Sequence, residues 1–118
     1  MPTLVLRVDP ARLDNPEADL HLEIPDRLVE RAHGLLADDG HDYEPEGSLQ
    51  IYLSTADPER ALRGIVELLE EGPFHGNDLA AAVVVGVSPL DVSEALEFEV
   101  VYPRRRSGTI QRPARSTA

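Results

Sequence analysis

The chain has 118 residues, 42% of them apolar, and 22 acidic side chains against 11 Arg give it a net charge of −11. That is one domain's worth of polypeptide, able to bury roughly two-thirds of its unfolded surface, in a core of Leu, Val, Ile and Ala because aromatics make up only 4%. With no Cys, disulfides, thiolate metal centres and a cysteine nucleophile are excluded. No apolar run approaches the roughly 18–20 residues of a membrane span.

In chain order, Thr3–Asp9 alternates Leu4, Leu6 and Val8 against Val5 and Arg7, which predicts a strand ending at Pro10. Residues 10–24 carry Pro10, Asn15 and Pro16 and then Leu20, Leu22 and Ile24, and they are expected to form a long loop with one helical turn. A short helix is expected from Pro25 or Asp26 to His33, stopped by Gly34. Leu35–Tyr43 and Leu49–Ser54 then read as a hairpin about a turn at Glu46-Gly47. Asp57 as cap, Pro58 in the first turn and the stripe Ala61, Leu62, Ile65, Val66, Leu69 predict a second helix that Gly72-Pro73 ends. Leu79–Val87, apolar on both faces, fits a covered strand. Leu96–Tyr102 is expected as the last strand, with one wet face. These elements predict a single α+β domain over residues 1–103 and a flexible Arg-rich tail over 104–118.

The order is βαββαβ plus an extra C-terminal strand. It fits a ferredoxin-like two-layer sandwich with a mostly antiparallel sheet. In the 4-1-3-2 strand order of that fold, residues 10–24, 39–47 and 72–78 emerge at one end. With the bordering Asp9 and Asp38, eleven of the 22 acidic residues would then share a rim. Asp38, Asp39, His41, Asp42, Asn77 and Asp78 are the residues expected to contact a partner there. The six Arg of residues 1–103 leave the body far more negative than the whole chain, since the tail adds Arg104, Arg105, Arg106, Arg112 and Arg115. Such a body repels nucleic acid and anionic membranes and attracts cationic partners. The tail is expected to be solvated or to fold back on the acidic body.

Catalytic chemistry has little support. Ser48, Ser54, Ser88 and Ser93 lie in no Gly-x-Ser-x-Gly elbow, and no phosphate-cradling Gly loop exists. His21, His33, His41 and His75 are the candidate acid–base groups, with His41 and His75 together suited to a transition metal. Asp38–Glu44 lacks the spacing of an EF-hand loop. No catalytic residue, cofactor or metal ligand is therefore assigned.

Leu4-Val5-Leu6-Arg7-Val8-Asp9-Pro10, Asp38-Asp39-Gly40-His41-Asp42-Tyr43 and Gly76-Asn77-Asp78-Leu79 resemble a group of small uncharacterised bacterial proteins, over residues 3 to about 87. In size and acidity the chain is also similar to immunity proteins of bacterial toxin systems. Neither resemblance implies catalytic residues, and the Arg-rich tail and extra strand fall outside the first.

The expected function is an acidic, cytoplasmic interaction module that binds a basic protein such as a toxin, and not nucleic acid or membrane. The alternative is a domain of the same fold that senses a small molecule or pairs with a second copy through Leu96–Tyr102. A divalent-metal-dependent enzyme ranks behind both.

Overall fold

A computed structural model describes residues 1–16 and 19–113. Its sheet runs β2-β3-β1-β4-β5-β6, with every neighbouring pair antiparallel. The strands are β1 (Thr3–Val8), β2 (Ala37–Tyr43), β3 (Leu49–Ser54), β4 (Val83–Ser88), β5 (Glu97–Tyr102) and β6 (Thr109–Gln111). The helices are α1 (Leu20–Ala32), α2 (Pro58–Glu70) and the single turn α3 (Leu79–Ala82). The first four strands take the ferredoxin-like order, β5 lies beside β4 as the sequence predicts, and β6 extends the sheet further.

Alternation sends Leu4, Leu6 and Val8 of β1, Leu49, Ile51 and Leu53 of β3, and Val83 and Val85 of β4 toward the helices. There they meet Leu20, Ile24 and Leu28 of α1 and Ala61, Ile65, Leu68 and Leu69 of α2, all buried. The signals read for α2 hold: the Asp57 carboxylate accepts a hydrogen bond from the Arg60 N–H at 3.2 Å, and Pro58 opens the helix.

Three expectations change. The first helix begins at Leu20, inside the stretch read as a loop. Leu20, Ile24 and Leu28 are an i, i+4 stripe; the alternation 20, 22, 24 imitates a strand, yet Leu22 is exposed. Next, Leu79–Ala82 turns as a helix before β4 starts at Val83. Periodicity cannot separate a buried helical turn from a buried strand in so short an apolar run. Finally, Thr109–Gln111, within the expected tail, forms β6 through Glu97↔Gln111, Phe98↔Ile110 and Glu99↔Thr109. Ile110, 5% exposed, anchors the strand in a second apolar cluster with Val5, Tyr52, Ala95 and Phe98. Arg115 lies outside the described residues.

That second cluster sits on the sheet face away from the helices. It exists because β5 and β6 curl over β1 and β3, and Gly86 in β4 permits the curl. A Cβ at Gly86 would stand 2.8 Å from the Phe98 Cβ, and 3.2 Å from both the Ile110 Cδ1 and a Val5 methyl. Only a residue without a side chain admits Phe98 there. Among the described residues, no helix is long and apolar enough to cross a membrane.

Candidate functional site

The connections from β1 to α1, from β2 to β3 and from α2 to β4 do come together at one end, though β2 runs to Tyr43 and only residues 44–47 of the expected 39–47 lie in its turn. Asn77 joins two of them: its Oδ1 accepts from the Asn15 N–H at 2.6 Å, and its Nδ2 donates to the Asn15 carbonyl at 3.1 Å. The Asn15 side chain donates in turn to the His75 carbonyl at 3.1 Å. From the other side, His21 of α1 lies 4.9 Å, centroid to centroid, from His41 and 6.4 Å from Tyr43, both on β2.

The six expected contact residues nevertheless do not form one surface. Asn77 is fully buried and its polar atoms are engaged within the chain; it fastens loops and is closed to a partner. Asp38 and Asp39 sit toward the opposite end of β2, since Asp38 pairs with Leu53 whereas Tyr43 pairs with Leu49. Between Asp38 and His41 the register slips: Asp39 and Gly40 together face one residue of β3, a bulge that Gly40 allows through its φ of 95°. The acidic pair is exposed, and Asp38 closes a small turn by accepting from the Gly40 N–H at 2.9 Å. His41 is exposed beside α1. Asp78 is exposed at the rim, before α3. His75, expected to work with His41, instead approaches Glu23 of α1 at 3.5 Å.

Asp42 points to the other sheet face and enters a polar chain that the sequence did not reveal. Its Oδ2 accepts from the Tyr52 hydroxyl at 3.0 Å and lies 3.5 Å from the Arg112 Nε. The Arg112 guanidinium covers the Tyr52 ring at 4.6 Å and donates to the Val92 and Ala95 carbonyls. Tyr52 also lies 2.9 Å from the Gln50 Oε1, and Gln50, fully buried, donates to Glu44 at 3.1 Å and to the Gln111 carbonyl at 2.8 Å. Arg7 closes the row on Glu44 at 2.5 Å and Glu46 at 3.2 Å. The Tyr52 hydroxyl has one proton to donate, shared between Asp42 and the Gln50 Oε1, and the buried Arg112 Nε faces Asp42 beyond hydrogen-bond reach.

Electrostatics follow the geometry. Burial raises the Tyr52 phenol above its ordinary value, and the Asp42 carboxylate adds to the shift. Burial also raises Tyr102, whose hydroxyl donates to Glu70 at 3.0 Å. The hydrogen bond to Glu44 raises the Arg7 guanidinium. A hydrogen bond from Ser48 lowers the exposed Glu46 carboxyl. A signal for this chain was present in the sequence, since Gln50 and Tyr52 share one face of a strand whose other face is Leu49, Ile51 and Leu53. Nothing in the sequence placed Arg112 over them.

Two consequences bear on function. The outer edge of β5, expected to pair with a second copy, is occupied by β6. Among the described residues, no group of three or more His, Asp or Glu side chains is arranged to hold a metal ion. Comparison with protein-family models, with curated proteins and with solved structures finds no match to this chain.

Proposed function

We propose that the chain is an acidic interaction module that docks a cationic protein, with an immunity-type inhibitor of a basic toxin as its concrete form. The observation that supports it is the state of β2. This strand forms one edge of the sheet and is exposed along nearly its whole length. Asp38 and Asp39 stand on it with no cationic group within ion-pair distance among the described residues. Three rim carboxylates differ, because Glu44 and Glu46 are held by Arg7, and Asp9 by Arg12 at 3.6 Å, whereas exposed Asp78 has no ion pair among the described residues. The contact surface is therefore Asp38, Asp39 and the adjacent His41, with exposed Asp78 apart from them at the rim, whereas Asp42 and Asn77 serve the fold.

The net charge of −11 steers a basic partner toward the chain at a rate that falls with salt. The bulge at Gly40 breaks the regular edge, so a partner meets carboxylates rather than an unbroken row of backbone groups. The cytoplasm is taken as the place of action. The partner class is a basic protein, not nucleic acid or membrane.

The test is co-expression with the product of the neighbouring gene, followed by recovery of the complex at low and high salt. A basic protein recovered at low salt, released at high salt and associating several-fold more slowly with Asp38→Asn/Asp39→Asn is the expected result. An association indifferent to salt, or one slowed equally by Glu97→Gln/Glu99→Gln on β5, overturns the reading.

A further inference from the structure

The positive charge of this acidic chain is not spread evenly. A cleft of about 480 Å³ opens between the ends of β1, β4 and β5, lined by Arg7, Arg12, Arg105 and Arg106 with Asp9 as its one carboxylate. A smaller hollow of about 290 Å³ adjoins it, sharing Arg7, Val84 and Arg106 and adding Glu44. Four guanidiniums thus converge in a protein whose net charge is −11. The geometry points to an anion-binding site for a small compound that carries two or more phosphate groups.

The guanidiniums differ in availability. Glu44 and Glu46 neutralise Arg7, which shapes the floor. Arg12 makes only a loose contact with Asp9, 3.6 Å apart with both side chains well exposed, and a stronger acceptor can replace it. Arg105 and Arg106 have no carboxylate within ion-pair distance among the described residues. Their loop is held in place, because the Arg106 N–H donates to the Pro103 carbonyl at 3.0 Å and the Val100 N–H to the Gly108 carbonyl at 2.9 Å.

Three arguments select the ligand. Guanidinium is planar, permanently charged and weakly hydrated, and its fork matches phosphate oxygens two at a time. Arg12 approaches from the turn after β1 while Arg105 and Arg106 come from the β5–β6 loop, so charge lies on both walls and a two-centre anion engages both. The remaining lining is Ala80–Val84 and Pro103, with no aromatic ring on which a nucleobase could stack. The volume lies within the range of small-molecule sites.

Calorimetric titration of the full chain with inorganic pyrophosphate at low ionic strength tests the assignment. One saturable site is expected. Arg105→Gln/Arg106→Gln weakens it roughly tenfold or more, as loss of charge-assisted hydrogen bonds requires, whereas Arg60→Gln, on α2 and outside the cleft, leaves it unchanged. All substituted residues are exposed, and thermal unfolding verifies that the variants fold. No saturable heat overturns the proposal, as does an equal loss in Arg60→Gln. Orthophosphate binding as tightly as pyrophosphate refutes the two-phosphate requirement. Tighter binding of a single-stranded oligonucleotide, lost in the same double variant, replaces the small ligand with nucleic acid.

Discussion

The two faces of the sheet are built on different physics. Toward α1 and α2 the packing is aliphatic, and Leu4, Leu6, Ile51, Leu53, Ile65 and Val85 are buried with no polar group to satisfy. On the other face a stacked pair, Tyr52 and Phe98 with centroids 6.0 Å apart, lies beside the chain of Arg7, Glu44, Gln50, Asp42 and Arg112. The first face tolerates exchange of one apolar shape for another of similar volume. The second requires that each donor keep its acceptor, since a buried polar group without a partner costs more than the bond contributes. A face closed by hydrogen bonds is more specific and less forgiving.

The largest effect that separates the faces is expected from Phe98→Ala, which removes the main apolar group of the second cluster. Urea denaturation is expected to show a loss of about 3–5 kcal/mol, similar to the roughly 2–5 kcal/mol of Ile65→Ala on the helical face. A loss below about 1 kcal/mol for Phe98→Ala alone would mean that the β5–β6 cover contributes little. Next comes Gly86→Ala. Its new methyl meets the Phe98 Cβ at 2.8 Å, backed by Ile110 and Val5, so the cover must lift, at about 1–3 kcal/mol. A gain in stability there would show that the curl is not as tight as described.

Tyr52→Phe is expected to cost about 1–3 kcal/mol at neutral pH, because Asp42 loses the donor hydroxyl and Gln50 its neighbour. The pH dependence has a definite sign. The folded phenol ionises above the free value, so its contribution is complete below about pH 10 and declines as pH rises beyond that toward the folded value. The Phe variant lacks this alkaline decline, and the two stability curves converge there; parallel curves above pH 10 would contradict the shift. The smallest effect is the coupling of Arg112 with Asp42. A double-mutant cycle of Arg112→Met and Asp42→Asn is expected to give about 1 kcal/mol, and a value of zero would leave only the guanidinium's contact with the Tyr52 ring.

The helical face was legible in the sequence because it depends on period. β1 announces itself by alternation, and α2 by Asp57-Pro58 and a stripe at helical spacing. The four-strand order followed from the succession of elements, and so did the meeting of the three connections. What stayed hidden depends on contacts between distant residues. Pro25 disguised the start of α1, although it is buried within the helix. The role of Gly86 requires knowing that Phe98 approaches it. The candidate site was misjudged partly for the same reason, since Asn77 turns inward to fasten Asn15, and partly because 39–47 was counted as one connection although β2 runs on to Tyr43 and leaves Asp38 and Asp39 away from the rim.

The central strand, β1, is also the first of the six in chain order. Its neighbours β3 and β4 are encoded far downstream, and the lid on its polar side ends with Ile110 and Arg112. A chain still on the ribosome therefore presents Val5 and Tyr52 to solvent until residues 110–112 have been added. Folding of that side is governed by long-range closure, and a chain cut before β6 would expose a greasy, hydrogen-bond-hungry patch prone to aggregation.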